Sequence, residues 1–447
     1  MSKARDIADI GADLDELVSF HTNTNLTVTV GAGGDYATIT AALAYLSQFS
    51  RIFVNSGATV TISLLTGFVM AEQVHVKSLD LGFIRITSVD SEVVITRSAL
   101  VTDFGTPSFS AFHATNATLP EIACLFNMDT SGTATSRNGI CCVEGSKVRI
   151  RADCGVKNSG SSGLVLLGST AVTGDTDVDG TALVGTGGSI FTGSTDAAVQ
   201  VRNGSSAYLV RANVSGCATG IFARSSATVD FWYGNATNCT TVGLRCRDNS
   251  NMNARSSDVS GSRIGVFASH IGIVNFRYGV ATACTGTGVR SFTGSTVEIA
   301  DAAITGTLAT SHTDVDLGYG LSVSGTSTVN GDGAGTIVTG SAGHNVYGTG
   351  ACTISLKGAS LINAGGRAAE AEEGARISIH DAVLTGAATG VKATTGGQIA
   401  AVNANVGTPT TGDGFTVTNG GHIFAKNATG TLSVTANTIA AAGIIFS

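Results

Sequence analysis

The sequence predicts an all-β fold, a parallel β-solenoid with rungs of about 22–24 residues, and three observations carry that prediction. The first is a repeat. GIFARSSATVDFWYGNATNCTT, starting at Gly220, returns 45 residues later as GVFASHIGIVNFRYGVATACTG, so Phe222/Phe267, Val229/Val274, Phe231/Phe276, Tyr233/Tyr278, Gly234/Gly279 and Cys239/Cys284 correspond. The second is that the underlying step is half as long, because Gly220, Gly243, Gly265 and Gly288 are spaced by 23, 22 and 23 residues. The third is local alternation, as in Val229-x-Phe231 and Val274-x-Phe276, between clusters of Ser, Thr, Asn and Gly. A helical solenoid is excluded, since no unit holds a long enough run free of Gly, Thr and Asn. Like residues of successive rungs then stack about 4.8 Å apart.

Composition sets limits that agree. Of 447 residues 43% are apolar, enough to bury a long core, while 13% are charged, roughly half the usual share. With 59 glycines and 3 prolines, the turns rest on backbone freedom. A net charge of −7 and a pI near 5.6 argue against general nucleic-acid binding. Residues 1–17 carry Lys3, Arg5, Asp6, Asp9, Asp13, Asp15 and Glu16 and no apolar core, so a secretory signal is not expected. No apolar run approaches the roughly 18 residues of a membrane span. Of the nine cysteines, Cys217, Cys239 and Cys284 recur at one place in their units, which predicts a stack of small buried side chains. Metal or disulfide roles would need CxxC-type spacing or an oxidising compartment; synthesis in a reducing cytoplasm is expected.

Element by element, Ile7, Ile10, Leu14 and Leu17 fall at a/d spacing and predict a short helix within residues 1–30. So short a helix is marginal alone and is stabilised by packing on its own domain, by bundling with copies or by docking into a partner. In GGDYATITAALAYLSQF, Ile39, Leu43, Leu46 and Phe49 give an apolar helical face, placed as a cap over the open end of the solenoid. Residues 51–96 read as strand after strand, the first rungs. Residues 102–137 contain Pro107 and Pro120 and lose the period, which predicts a loop-rich excursion inside the segment 31–138. From Gly139 the register is regular and predicts continuous solenoid over 139–436, with Gly320, Gly343, Gly366, Gly390 and Gly414 spaced by 23, 23, 24 and 24. Residues 437–447 form a C-terminal tip.

MSKARDIADIG resembles the opening of many tail-fibre and tailspike proteins of tailed bacteriophages, and GGDYATITAALAYL followed by strands resembles the entry of pectin-lyase-like right-handed β-helices. The resemblance implies a single-stranded right-handed parallel β-helix in a homotrimeric virion protein. It further implies attachment to a phage tail or baseplate protein through the N-terminal segment, and contact with the host envelope at a surface glycan or lipopolysaccharide. It does not by itself imply an enzyme, since many such fibres only bind.

Residues 200–290 hold nine arginines (Arg202, Arg211, Arg224, Arg245, Arg247, Arg255, Arg263, Arg277 and Arg290), no lysine, and Asp230, Asp248 and Asp258. Counted from each unit's glycine, Trp232, Arg255 and Arg277 share position 12 and are expected in one outer column, with Tyr233, Tyr278, Arg245 and Arg290 within a rung or two. Aromatic faces stack on sugar rings, and arginines offer forked donors to carboxylates, phosphates or sulfates. The alternative is a solvated cation–π stack without a ligand. DTDVDG (Asp175, Asp177, Asp179, Gly180) matches the opening of a calcium loop but has Thr186 where the acidic twelfth residue belongs, so either a weak Ca2+ site or a plain Asx-turn fits; no other cofactor is expected.

Catalysis has thinner support. Asp230 and Glu298 share position 10 but lie three rungs apart, about 14 Å, too far for a glycosidase pair. Asp248 and Asp258 share a rung, and Glu370, Glu372 and Glu373 are placed near Arg367 and His380; neither group is distinctive. Two readings stay open: a receptor-binding fibre that recognises a surface glycan, which is favoured, and a depolymerase (glycosidase or lyase) acting on that glycan.

Overall fold

The computed structural model describes residues 25–49, 59–104, 109–129, 136–173, 188–309, 318–432 and 443–446, and every strand pairing among them is parallel. The fold is a right-handed-type parallel β-solenoid with about 24 residues per rung and a single α-helix among the described residues. The chain divides into two compact units, one within residues 1–160 and 168–190, the other within 161–167 and 191–447. The helix predicted at Ile7 to Leu17 and the candidate Ca2+ motif at Asp175, Asp177 and Asp179 lie outside the described residues.

The first unit begins with the strand Leu26–Val30, which pairs with Val60–Leu64, itself paired with Ile84–Ser88. Between the first two lies the helix Ile39–Leu46. Its start is set by two carboxyl or hydroxyl acceptors on otherwise orphaned amides: Thr38 accepts from the Ala41 N–H at 3.1 Å, and Glu72 accepts from the amides of Ile39 and Thr40 at 2.6 and 3.0 Å. Ile39, Ala42, Leu43 and Leu46 are buried on one face, which packs beside the strand Val74–Lys77.

Within the segment expected to be a loop-rich excursion, the described residues 109–129 form strands. They supply Ser110–Thr115, Glu121–Ile122 and Leu125–Met128, one strand for each of the unit's three sheets. The prolines misled because Pro120 sits immediately before a strand, where it removes no ladder donor.

In the second unit each rung contributes a long strand and a short one. The long strands Thr219–Arg224, Val242–Arg247, Ile264–Ser269, Thr287–Phe292 and Tyr319–Ser324 stack in one sheet. The short strands Thr228–Asp230, Asn251–Asn253, Ile273–Asn275, Thr296–Glu298 and Thr328–Asn330 stack in another. Alternation divides the side chains: in Val242–Arg247 the buried Leu244 and Cys246 face inward while Arg245 and Arg247 face out. The recurring glycine has a steric cause. A Cβ on Gly220 would stand 2.5 Å from the Gly243 carbonyl oxygen, and one on Gly265 2.6 Å from that of Gly288, so the next rung's backbone occupies the space a side chain would need. Cys217, Cys239 and Cys284 are buried free thiols, as expected of a core stack; burial raises the thiols of Cys239 and Cys284 to about 11 and about 12, which keeps them protonated and inert.

Candidate functional site

After each short strand the chain of the second unit turns a corner, and one residue of that corner has left-handed backbone: Arg211 (φ 58°), Tyr233 (55°), Ser256 (57°), Tyr278 (57°) and Asp301 (59°) in five successive rungs. Further along, the same corner is filled by Gly358, Asp381, Asn403 and Asn427, residues that tolerate this conformation. A tyrosine there is strained, by about 1 kcal/mol or more.

The residue preceding each corner position forms the predicted column. The Arg211, Tyr233, Ser256 and Tyr278 amides donate to the carbonyls of Trp232, Arg255, Arg277 and Ala300 at 2.7, 3.0, 2.9 and 3.1 Å, which puts Trp232, Arg255 and Arg277 at equivalent places. Trp232 is 38% exposed, Tyr233 59% and Tyr278 41%. Arg255 and Arg277 both lie over the Tyr278 ring, 4.8 and 5.5 Å from its centre, and Arg211 lies 6.0 Å from that of Tyr233. Arg277 is also 4.0 Å from Asp301. Beside it opens a groove of about 480 Å³ lined by Asn275, Arg277, Glu298, Asn330 and Asp332. There Glu298 accepts from the Asn330 side-chain amide at 2.9 Å, and Asp332 from the Ser355 hydroxyl at 2.6 Å and the Lys357 amide at 2.9 Å.

Arg245 and Arg290 are not part of this surface. They stand on the long-strand sheet, in the column Gln200, Phe222, Arg245, Phe267, Arg290, Ser322. Counting from the glycine placed them correctly along the axis, but position 2 and position 12 are separated by a turn and so belong to different sheets. The reading also missed their neighbours: Arg202, Arg224 and Arg247 form the next outward column of the same strands. The 45-residue repeat held the signal, since Phe222 and Phe267 alternate with Arg245 and Arg290 at the second residue after each glycine.

The other carboxylates are engaged structurally. Asp248 pairs with Arg247 at 2.9 Å, and Asp258 accepts from the Ser260 amide at 2.9 Å. Glu370 is buried, and its side chain meets Arg367 at 2.5 Å, His344 at 3.0 Å and Lys392 at 3.2 Å. Burial would raise this carboxyl, but the His344 hydrogen bond and the charges of Arg367 and Lys392 outweigh it and hold it at about 2. His344 receives the Arg367 amide on Nδ1 at 2.9 Å, which leaves Nε2–H to donate to Glu370, so both ring nitrogens are committed. Glu372 and Glu373 instead accept from Tyr347 and Thr349, at 2.9 and 3.0 Å. Among the described residues there is no group of three or more potential metal ligands, and no helix is long and apolar enough to cross a membrane.

No family model matches this chain, and no curated protein does. Among solved structures, a mutant of the periplasmic alginate epimerase AlgG aligns with 84% of this chain and 74% of its own, at 11% identity and a TM-score of 0.29. A likeness at that score carries no argument about chemistry here.

Proposed function

We propose that this protein binds a glycan of a host cell surface, as a tail fibre or tailspike of a tailed bacteriophage. One observation carries the binding half: tyrosines at strained corner positions where later rungs use Gly, Asp or Asn, exposed and flanked by arginines. Local stability is given up to hold phenol rings outward at a spacing of two rungs, roughly 10 Å. Ring faces suit sugar C–H surfaces, and Arg255 and Arg277 suit hydroxyl or acidic groups beside them. The virion setting rests on the resemblance of residues 1–11 and on the solenoid, and with it come a homotrimer and an N-terminal attachment to a tail or baseplate protein.

The test is adsorption of purified protein to host cells or to their extracted lipopolysaccharide and capsule. The paired substitutions Trp232→Ala and Arg277→Ala remove two central contacts, each commonly worth about 2 kcal/mol, so affinity falls at least about thirtyfold while the melting temperature stays nearly unchanged. Undiminished adsorption by that variant would refute the corner site. Light scattering on the wild type gives a trimer mass; a monomer mass contradicts the virion reading.

A second reading, cleavage of the bound glycan, is favoured by Glu298 and Asp332, carboxylates of neighbouring rungs that line one groove with Arg277. New reducing ends or unsaturated products after incubation with the host glycan, lost in Glu298→Gln, would establish it.

A further inference from the structure

The long-strand face of residues 197–292 carries a cluster of cations that the corner site does not use. Phe222 is ringed by three guanidiniums, those of Arg245, Arg224 and Arg202 at 4.8, 5.3 and 5.9 Å from its centre. Phe267 is flanked by Arg245 and Arg290, each at 5.6 Å. Arg247 pairs with Asp248, but among the described residues Arg202, Arg224 and Arg245 make no ion pair. The Nε atoms of Arg202 and Arg245 are buried with no hydrogen-bond acceptor. Burial, and then the neighbouring arginine charges, depress both guanidiniums below their ordinary value. These side chains are packed rather than waving in solvent, held on phenylalanine faces at successive rungs, with Nε donors left over and a mutual repulsion that Asp196 and Asp248 offset only in part.

We propose that this face is a track for an acidic polysaccharide, laid along the solenoid axis with its carboxylate or sulfate groups on Arg202, Arg224 and Arg245 and its rings against Phe222 and Phe267. The rung step of about 4.8 Å brings a guanidinium and a ring face to the chain at intervals near the length of one sugar unit. The proposal rests on the reading of the protein as a glycan binder, but it uses a different sheet from the Trp232 corner and names the ligand's charge class.

Titration calorimetry of the full chain with polygalacturonate, dextran sulfate, neutral dextran and single-stranded DNA tests it. The wild type binds at least one acidic polysaccharide, more weakly as salt rises, and does not bind neutral dextran on this face. Arg224→Ala with Arg245→Ala weakens that binding at least about tenfold, and Arg245→Lys, which keeps the charge and loses the planar fork, weakens it measurably. Arg224→Ala with Arg245→Ala weakens the acidic polymer more than Trp232→Ala with Tyr278→Ala does, which separates this face from the corner. No binding of either acidic polysaccharide by the wild type overturns the track and leaves the corner reading standing. Equal weakening by Arg376→Ala, a control arginine outside the cluster, or DNA bound as tightly as the glycans, overturns it in favour of unspecific charge attraction. A changed molecular mass of the Arg224→Ala/Arg245→Ala variant in light scattering overturns it in favour of a subunit interface.

Discussion

The long-strand sheet of the second unit carries two cationic clusters on its outer face, linked by one continuous column, and they differ in what neutralises them. In the rungs of residues 197–292 the column reads Gln200, Phe222, Arg245, Phe267, Arg290; farther along it reads Tyr347, Glu370, Lys392. In the later rungs Arg367, Lys392 and His344 converge on one buried carboxylate, Glu370. In the earlier ones Arg202, Arg224 and Arg245 lie on aromatic rings and, among the described residues, make no ion pair, while Arg247 pairs with Asp248 on the same strand's turn. The first unit repeats the compensated pattern, with Arg85, Arg151 and Arg149 at 2.5, 2.9 and 3.3 Å from a nearly buried Glu121. Cations that bring their own counterion hold rungs together. Cations gathered without one are arranged for an anion from outside.

The contrast breaks most visibly at Glu370. Glu370→Gln strands Arg367 and Lys392 beside a neutral amide, and unfolding in urea shows a loss of roughly 3 kcal/mol, at the low end for a broken buried pair because both cations are partly in water. The same residue sets an acid limit. Its folded carboxyl titrates at about 2 against an ordinary 4.5, so its contribution is complete above about pH 4.5 and is lost as pH falls toward 2. Urea midpoints measured from pH 5 down to pH 2.5 fall more steeply in the wild type than in Glu370→Gln. Parallel curves would mean that the carboxylate is not held by its neighbours.

The corner sharpens the comparison at smaller scale. Tyr233 has left-handed backbone, is 59% exposed and has Arg211 only at the 6.0 Å edge of a cation–π contact. Tyr233→Asn therefore relieves strain and loses little, and raises stability by about 0.5–1 kcal/mol in urea while weakening glycan binding. A loss of stability would show that the phenol ring is held by packing and not displayed for a ligand.

How much of this was legible follows from what each residue does. The period was readable because Gly220, Gly243, Gly265 and Gly288 each face a carbonyl of the next rung, a constraint that leaves one residue type. The Trp232, Arg255 and Arg277 column followed from that count alone. The sheet assignment of Arg245 and Arg290 did not, because a period fixes height along the axis and not the turn that separates two faces. The Arg367, Glu370, His344 and Lys392 cluster assembles three rungs, and its members sit in sequence among Ala and Gly with nothing to mark them as one group; His380, placed there by proximity in sequence, is not a member. The strands within Ser110–Met128 were not legible because Pro120 stands at the edge of a strand, where its period-breaking cost vanishes.

The central claim, that the arginines of residues 197–292 are arranged for a ligand and not for the fold, is tested most directly by the urea stability of Arg224→Ala/Arg245→Ala without any ligand. Removing two cations that repel each other, make no ion pair among the described residues and are partly desolvated leaves the midpoint unchanged or slightly higher, since function-bearing surfaces of this kind are held at some expense of stability. A loss of more than about 2 kcal/mol would contradict the account, because a change of that size belongs to side chains the fold depends on.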